Sequence, residues 1–137
     1  MTINTTSIQH VRLTVTDIAR SRAFYDSVFG WPVLLEMPED ADGETREKLW
    51  FLFGGVIYRT GDILVGLRPV AKDSFDENRA GLDHVAFRLD SKDDLDAAAA
   101  HLDDLGIAHE PIKDIGMGHI LEFRDPDNIA LELIALT

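Results

Sequence analysis

Two stretches of the chain share one pattern of apolar and polar positions. Residues 8–17 read IQHVRLTVTD and residues 82–91 read LDHVAFRLDS. In each, a histidine is followed by apolar side chains at every second position: Val11, Leu13 and Val15, then Val85, Phe87 and Leu89. A period of two predicts a half-buried strand with one face on a core. Each strand runs into a segment of helical spacing. The first, DIARSRAFYDSVFGW, has Asp17 as N-cap, an apolar stripe of Ile18, Phe24, Tyr25 and Phe29, and Gly30 as its stop. The second, SKDDLDAAAAHLDDLG, is capped by Ser91 with Asp94 three residues on, and ends at Gly106. The two histidines lie 74 residues apart and the two stop glycines 76 apart, as in a duplicated unit.

Three short strands are predicted after each helix. In the first half they lie near WPVLLEM, REKLWFLFGGVIY and DILVGLRP, with a turn at Thr60, Gly61 and Asp62. In the second they lie near AHEPIKD, GHILEFRD and NIALELIAL, with a turn from Asp125 to Asn128. The polar stretch from Met37 to Glu47 is predicted to be a mobile loop. Each half reads β-α-β-β-β, and the chain reads as one α+β domain. Module one covers about 6–70 and module two about 81–136, with a linker near Val70 to Gly81.

Parity then sorts the side chains by face. With Val11, Leu13 and Val15 under the helix, His10, Arg12 and Thr14 point to the opposite face. By the same rule His84, Ala86 and Arg88 share a face in the second half, as do Ala130, Glu132 and Ile134 in the last strand. Leu64, Gly66 and Arg68 take that face in the first half, and Ile120, Glu122 and Arg124 in the second. If these faces surround one concave sheet, His10, His84 and Glu132 converge. Two imidazoles and a carboxylate suit a divalent ion such as Fe(II), Mn(II), Zn(II) or Ni(II), with positions left open for substrate. The competing assignment is two ordinary half-buried histidines and a glutamate paired with an arginine.

Composition narrows the choices. The chain has 137 residues, no cysteine, and 13 basic against 25 acidic side chains, for a net charge of −12. Without cysteine there is no disulfide framework, thiolate metal site or cysteine nucleophile. The acidity argues against nucleic acid and anionic membranes as partners. The N-terminus lacks a signal-peptide pattern, and no apolar run approaches the ~20 residues of a membrane span, so a cytoplasmic protein is expected.

HVRLTVTDIARSRAFYDSVFGW, GLDHVAFRLD and EFRDPDNIALELI together resemble the vicinal oxygen chelate superfamily of glyoxalases, bleomycin-resistance proteins and dioxygenases, over about Ile8 to Ile134. The resemblance implies two β-α-β-β-β modules forming a cupped mixed sheet, and metal ligands at His10, His84 and Glu132. The remaining family position, a glutamate in glyoxalase I, falls on Gly66. That departure counts against glyoxalase I, whose isomerisation uses paired glutamates. It leaves Glu122, beside Glu132, as the candidate for proton transfer. A His-His-Glu set resembles extradiol ring-cleaving dioxygenases and fosfomycin-resistance thiol transferases. The implied protein is a homodimer acting on a small molecule with two adjacent oxygens, by lyase, isomerase or ring-cleaving chemistry. The alternative is a metal-independent, bleomycin-resistance-like protein that sequesters an antibiotic or toxic metabolite.

Around the site, Arg88 and Arg124 are expected to contact an anionic substrate. Arg12 and Arg68 are read instead as strand-end residues that reach water or pair with Glu122 and Glu132. Trp50 is a candidate aromatic wall, in competition with a core role. His119 could reach the cavity mouth as a proton donor or acceptor, although its parity sets it on the helix side.

Overall fold

The alternation after the first histidine forms β1, His10–Thr14. Leu13 and, just past the strand, Val15 are buried, while His10 and Thr14 are exposed. Helix α1 (Ile18–Val28) begins at Asp17, whose carboxylate accepts the Arg20 N–H at 3.1 Å. It buries Tyr25, which stacks with Phe29 and Trp31, and Trp31 meets Tyr58 edge-on. The hydroxyl of the buried Tyr58 donates to Asp26 at 2.8 Å, which satisfies the phenol. Strands β2 (Val33–Glu36), β3 (Val56–Thr60) and β4 (Ile63–Arg68) complete a sheet of order β1-β4-β3-β2. β1 runs parallel to β4, and the other pairs are antiparallel.

The structure, a computed structural model, describes residues 1–137 and divides them into two compact units, Met1–Lys72 and Asp73–Thr137. The second repeats the path of the first. Strand β5 (Val85–Leu89) leads to α3 (Lys92–Asp104), capped by Ser91, then to β6 (Lys113–Asp114), β7 (Gly118–Arg124) and β8 (Ala130–Leu136). The order is β5-β8-β7-β6, again with the first strand parallel to the last. Ile129, Leu131 and Leu133 are buried in the core, leaving Ala130, Glu132 and Ile134 on the other face. The chain is therefore α+β, built on two four-stranded mixed sheets. No helix is long and apolar enough to cross a membrane.

One expected strand takes another form. Residues 43–48 make helix α2 (Gly43–Lys48), and Trp50–Leu52 form a single 3-10 turn, so the strand begins only at Val56. Asp42 caps α2 by accepting the Thr45 N–H at 2.8 Å, and Arg46 and Lys48 fall in its last turn, where cations suit the helix dipole. Phe53, left-handed at φ 52°, and Gly54 then redirect the chain into β3. The segment expected to be a mobile loop thus contains a capped helix.

Candidate functional site

In the second unit, a cavity of about 300 Å³ opens over the face of β7 and β8 that turns away from the core. His84, Glu122, Arg124 and Glu132, four of the residues singled out by parity, border it. Glu122 and Glu132 are direct cross-strand partners in the β7–β8 ladder. Like charges placed opposite each other repel, so this pairing favours any cation that enters. Lys113 meets Glu122 at 3.3 Å. On the other side, His84 Nε2 lies 3.8 Å from Glu132 Oε1.

His84 is held by its neighbour. Its Nδ1–H donates to Asp83 Oδ1 at 2.5 Å, which fixes the ring and turns Nε2 toward Glu132. The same bond, reinforced by the charges of Glu132, Asp83 and Glu122, raises the imidazole pKa above its usual range, against the opposing effect of burial. The first unit repeats the device: His10 Nδ1 is hydrogen-bonded to the Gln9 side-chain oxygen, leaving Nε2 without a protein partner. Histidines that ligate metals through one nitrogen commonly have the other held in this way. Sequence patterns passed over Gln9 and Asp83, whose signal was that each immediately precedes its module's histidine.

The donor chemistry fits a divalent ion. Two ligands of one tetrahedral ion with bonds of about 2.1 Å stand about 3.4 Å apart, close to the 3.8 Å between His84 Nε2 and Glu132 Oε1. Neither unit by itself brings together three histidine or carboxylate groups able to hold a metal. The second unit supplies two of the three expected ligands, and His10 belongs to the first.

Arg124 borders the cavity, but it is already engaged. It donates to both carboxylate oxygens of Glu77, at 2.9 and 2.6 Å, and to the Asn128 carbonyl at 3.1 Å. Those hydrogen bonds pull the Glu77 carboxyl down to about 2. Glu77 lies in the connecting segment and carried no sequence signal. Arg88 is exposed and lies outside the cavity lining, as does His119, whose Nε2 is 3.9 Å from Asp114 and whose buried Nδ1 has no partner.

The first unit has its own cavity, of about 310 Å³, bordered by His10, Arg12, Phe51 and Gly66. Trp50 is absent from its lining and is 68% exposed, because it sits in the 3-10 turn and not in a strand. Arg68 packs its guanidinium 4.3 Å from the centre of the Phe53 ring, a cation–π contact in place of the expected ion pair. Arg12 donates to the Phe51 carbonyl.

Comparison with known proteins agrees with this architecture. The uncharacterized protein YaeR of Escherichia coli (strain K12) is 30% identical over 128 residues, covering 92% of this chain and 93% of its own. The uncharacterized protein YwkD of Bacillus subtilis (strain 168) is 31% identical over 129 residues, covering 93% and 94%. A glyoxylase/bleomycin resistance protein/dioxygenase domain from Frankia sp. EAN1pec superposes with a TM-score of 0.77 at 30% identity, over 98% of this chain and 94% of that one. A mutant of the genomically encoded fosfomycin resistance protein FosX of Listeria monocytogenes was crystallised with Mn(II) and 1S,2S-dihydroxypropylphosphonic acid. It shares the fold, with a TM-score of 0.74 at 20% identity over 98% and 95% of the two chains. The profile of the Glyoxalase/Bleomycin resistance protein/Dioxygenase superfamily matches residues 7–133, nearly the whole chain, and this protein belongs to that superfamily.

Proposed function

We propose that the protein is a metal-dependent enzyme acting on a small substrate with two neighbouring oxygens, with His10, His84 and Glu132 as the ligands of a divalent ion. The observation that carries this is the His84–Glu132 pair, its free Nε2 directed at a carboxylate 3.8 Å away while Asp83 holds the other ring nitrogen. A divalent ion bound there supplies Lewis-acid stabilisation of negative charge on substrate oxygens. Asp83 and Gln9 keep the two imidazoles in the tautomer that leaves Nε2 as the donor atom. Glu122 is the proton-transfer group of this proposal, a role supported by its position opposite Glu132 and at the border of the same cavity. The chemistry is of the lyase, isomerase or ring-cleaving class. The assembly proposed is a homodimer, which light scattering on the full chain tests.

Metal analysis of protein purified without a histidine tag, beside a His84→Ala variant, tests the central claim. Bound metal in the wild type that is lost in the variant is expected. Equal and negligible metal in both overturns it. A second reading, sequestration without chemistry, is favoured by one observation: position 66, where glyoxalase I has a glutamate, is a glycine lining the first cavity. A candidate antibiotic or metabolite recovered unchanged after tight binding to metal-free protein would establish that alternative.

A further inference from the structure

The two cavities differ in charge. Five carboxylates, those of Glu77, Asp83, Glu110, Glu122 and Glu132, border the one in the second unit. None borders the one in the first, where Arg12 is the sole arginine or lysine. Although the chain has 25 acidic residues, the half-buried Arg12 makes no ion pair. Its one hydrogen bond runs from Nη2 to the Phe51 carbonyl, and its Nε is buried without an acceptor. A guanidinium partly withdrawn from water without a counter-charge is unfavourable, and its planar array of N–H donors matches the paired oxygens of an oxyanion.

Gly66 puts the arginine there. Arg12 and Gly66 are register partners on β1 and β4. A Cβ built on Gly66 would stand 2.7 Å from Arg12 Cγ, so only glycine lets the arginine stem lie across the sheet at this point. The space a side chain at position 66 would fill is covered by the stem of a cation. His10, two residues earlier on the same face of β1, lines the cavity with it. Of the other candidate anion receptors, Arg124 is held by Glu77, Arg68 lies against Phe53, and Arg88 is exposed and borders neither cavity.

We propose that Arg12 is the specificity-determining residue of the proposed site, and that the cavity lined by Arg12 and His10 takes the oxyanion, a carboxylate or phosphonate, of its substrate. The assignment rests on the proposed metal site and names its substrate class. A volume of about 310 Å³ suits a small molecule.

The test follows the side-chain Nε–H signal of Arg12 by proton–nitrogen NMR in metal-free full-length protein. The probes are lactate, methylphosphonate and, as the uncharged diol, propane-1,2-diol. A saturable shift with either anion and none with the diol is expected, and the anion that saturates first tells carboxylate from phosphonate. Backbone signals of β1 should report an apparent Kd at least about tenfold higher in Arg12→Met. The same is expected in Gly66→Ala, which keeps the arginine but displaces it, whereas Arg12→Lys should retain part of the response. An Arg12→Met variant that binds lactate like the wild type, or a diol as effective as the anions, overturns the proposal. Mn(II) titration separates it from the metal site: Arg12→Met should bind Mn(II) normally, and metal-free His84→Ala should keep its lactate response. Anion binding without Mn(II) binding in the wild type would refute the metal site alone.

Discussion

Replacing Asp83 with alanine removes the acceptor that orients His84 and leaves every proposed ligand in place. The bond removed is a 2.5 Å hydrogen bond from Nδ1 to a carboxylate. Without it the ring can rotate, or present the other tautomer, and Nε2 no longer faces Glu132. Loss of such outer partners typically costs 10–100-fold in metal affinity, about 1.4–2.8 kcal/mol. Asp83 is 77% exposed, so water replaces part of the bond and the lower end, about tenfold, is expected. Competition against a chromophoric chelator measures this with Zn(II) or Mn(II). The assay belongs at pH 8 or above. Asp83 also raises the His84 pKa, so near neutrality its removal would relieve proton competition and mask some of the loss. Asp83→Asn, which keeps an acceptor without the charge, should fall between alanine and wild type. If Asp83→Ala binds metal as tightly as wild type while His84→Ala does not, the orienting role is wrong.

Other consequences of the structure can be checked separately. Glu77, held at about 2 by Arg124, adds stability above the ordinary carboxylate value of 4.5 and loses that contribution as pH falls toward 2. Glu77→Gln should therefore lower Tm at pH 6 and converge with wild type near pH 2; parallel curves would refute it. Tyr58→Phe removes a 2.8 Å bond to Asp26 without opening a cavity. Urea denaturation should show a loss of about 1.5 kcal/mol. A Cβ on Gly118 would lie 2.2 Å from the Ala135 carbonyl oxygen, against backbone that cannot swing aside. Gly118→Ala should cost about 3 kcal/mol, read as a fall in Tm. Gly43→Ala, with nothing within 4 Å of its Cβ, should be neutral or gain about 0.5 kcal/mol.

The duplicated plan was legible because the alternation that marks a strand also fixes which side chains share its face. Val11, Leu13 and Val15 told where His10 and Arg12 point, and Ile129, Leu131 and Leu133 did the same for Glu132. Three things escaped that logic. The apolar run after Arg46 looked like a strand, but the Asp42 cap and the left-handed turn at Phe53 divided it into a helix and a 3-10 turn. Arg124 was placed on the right face, yet its partner Glu77 comes from a connecting segment whose path no periodicity encodes. For Arg12, parity gave the direction of the side chain but not its missing counter-charge, which depends on no carboxylate bordering its cavity.

In both units the first strand pairs with the last: β1 with β4, and β5 with β8. During synthesis, neither sheet can close until its final segment has left the ribosome, and such non-local parallel pairing is slow to form. β8 is also the central partner of both β5 and β7, and it carries Glu132. A nascent chain that has not yet made β8 would therefore present its histidines without Glu132, the carboxylate of the proposed ligand set. If His10, His84 and Glu132 hold an ion as proposed, its capture should come only after β8 has been synthesised.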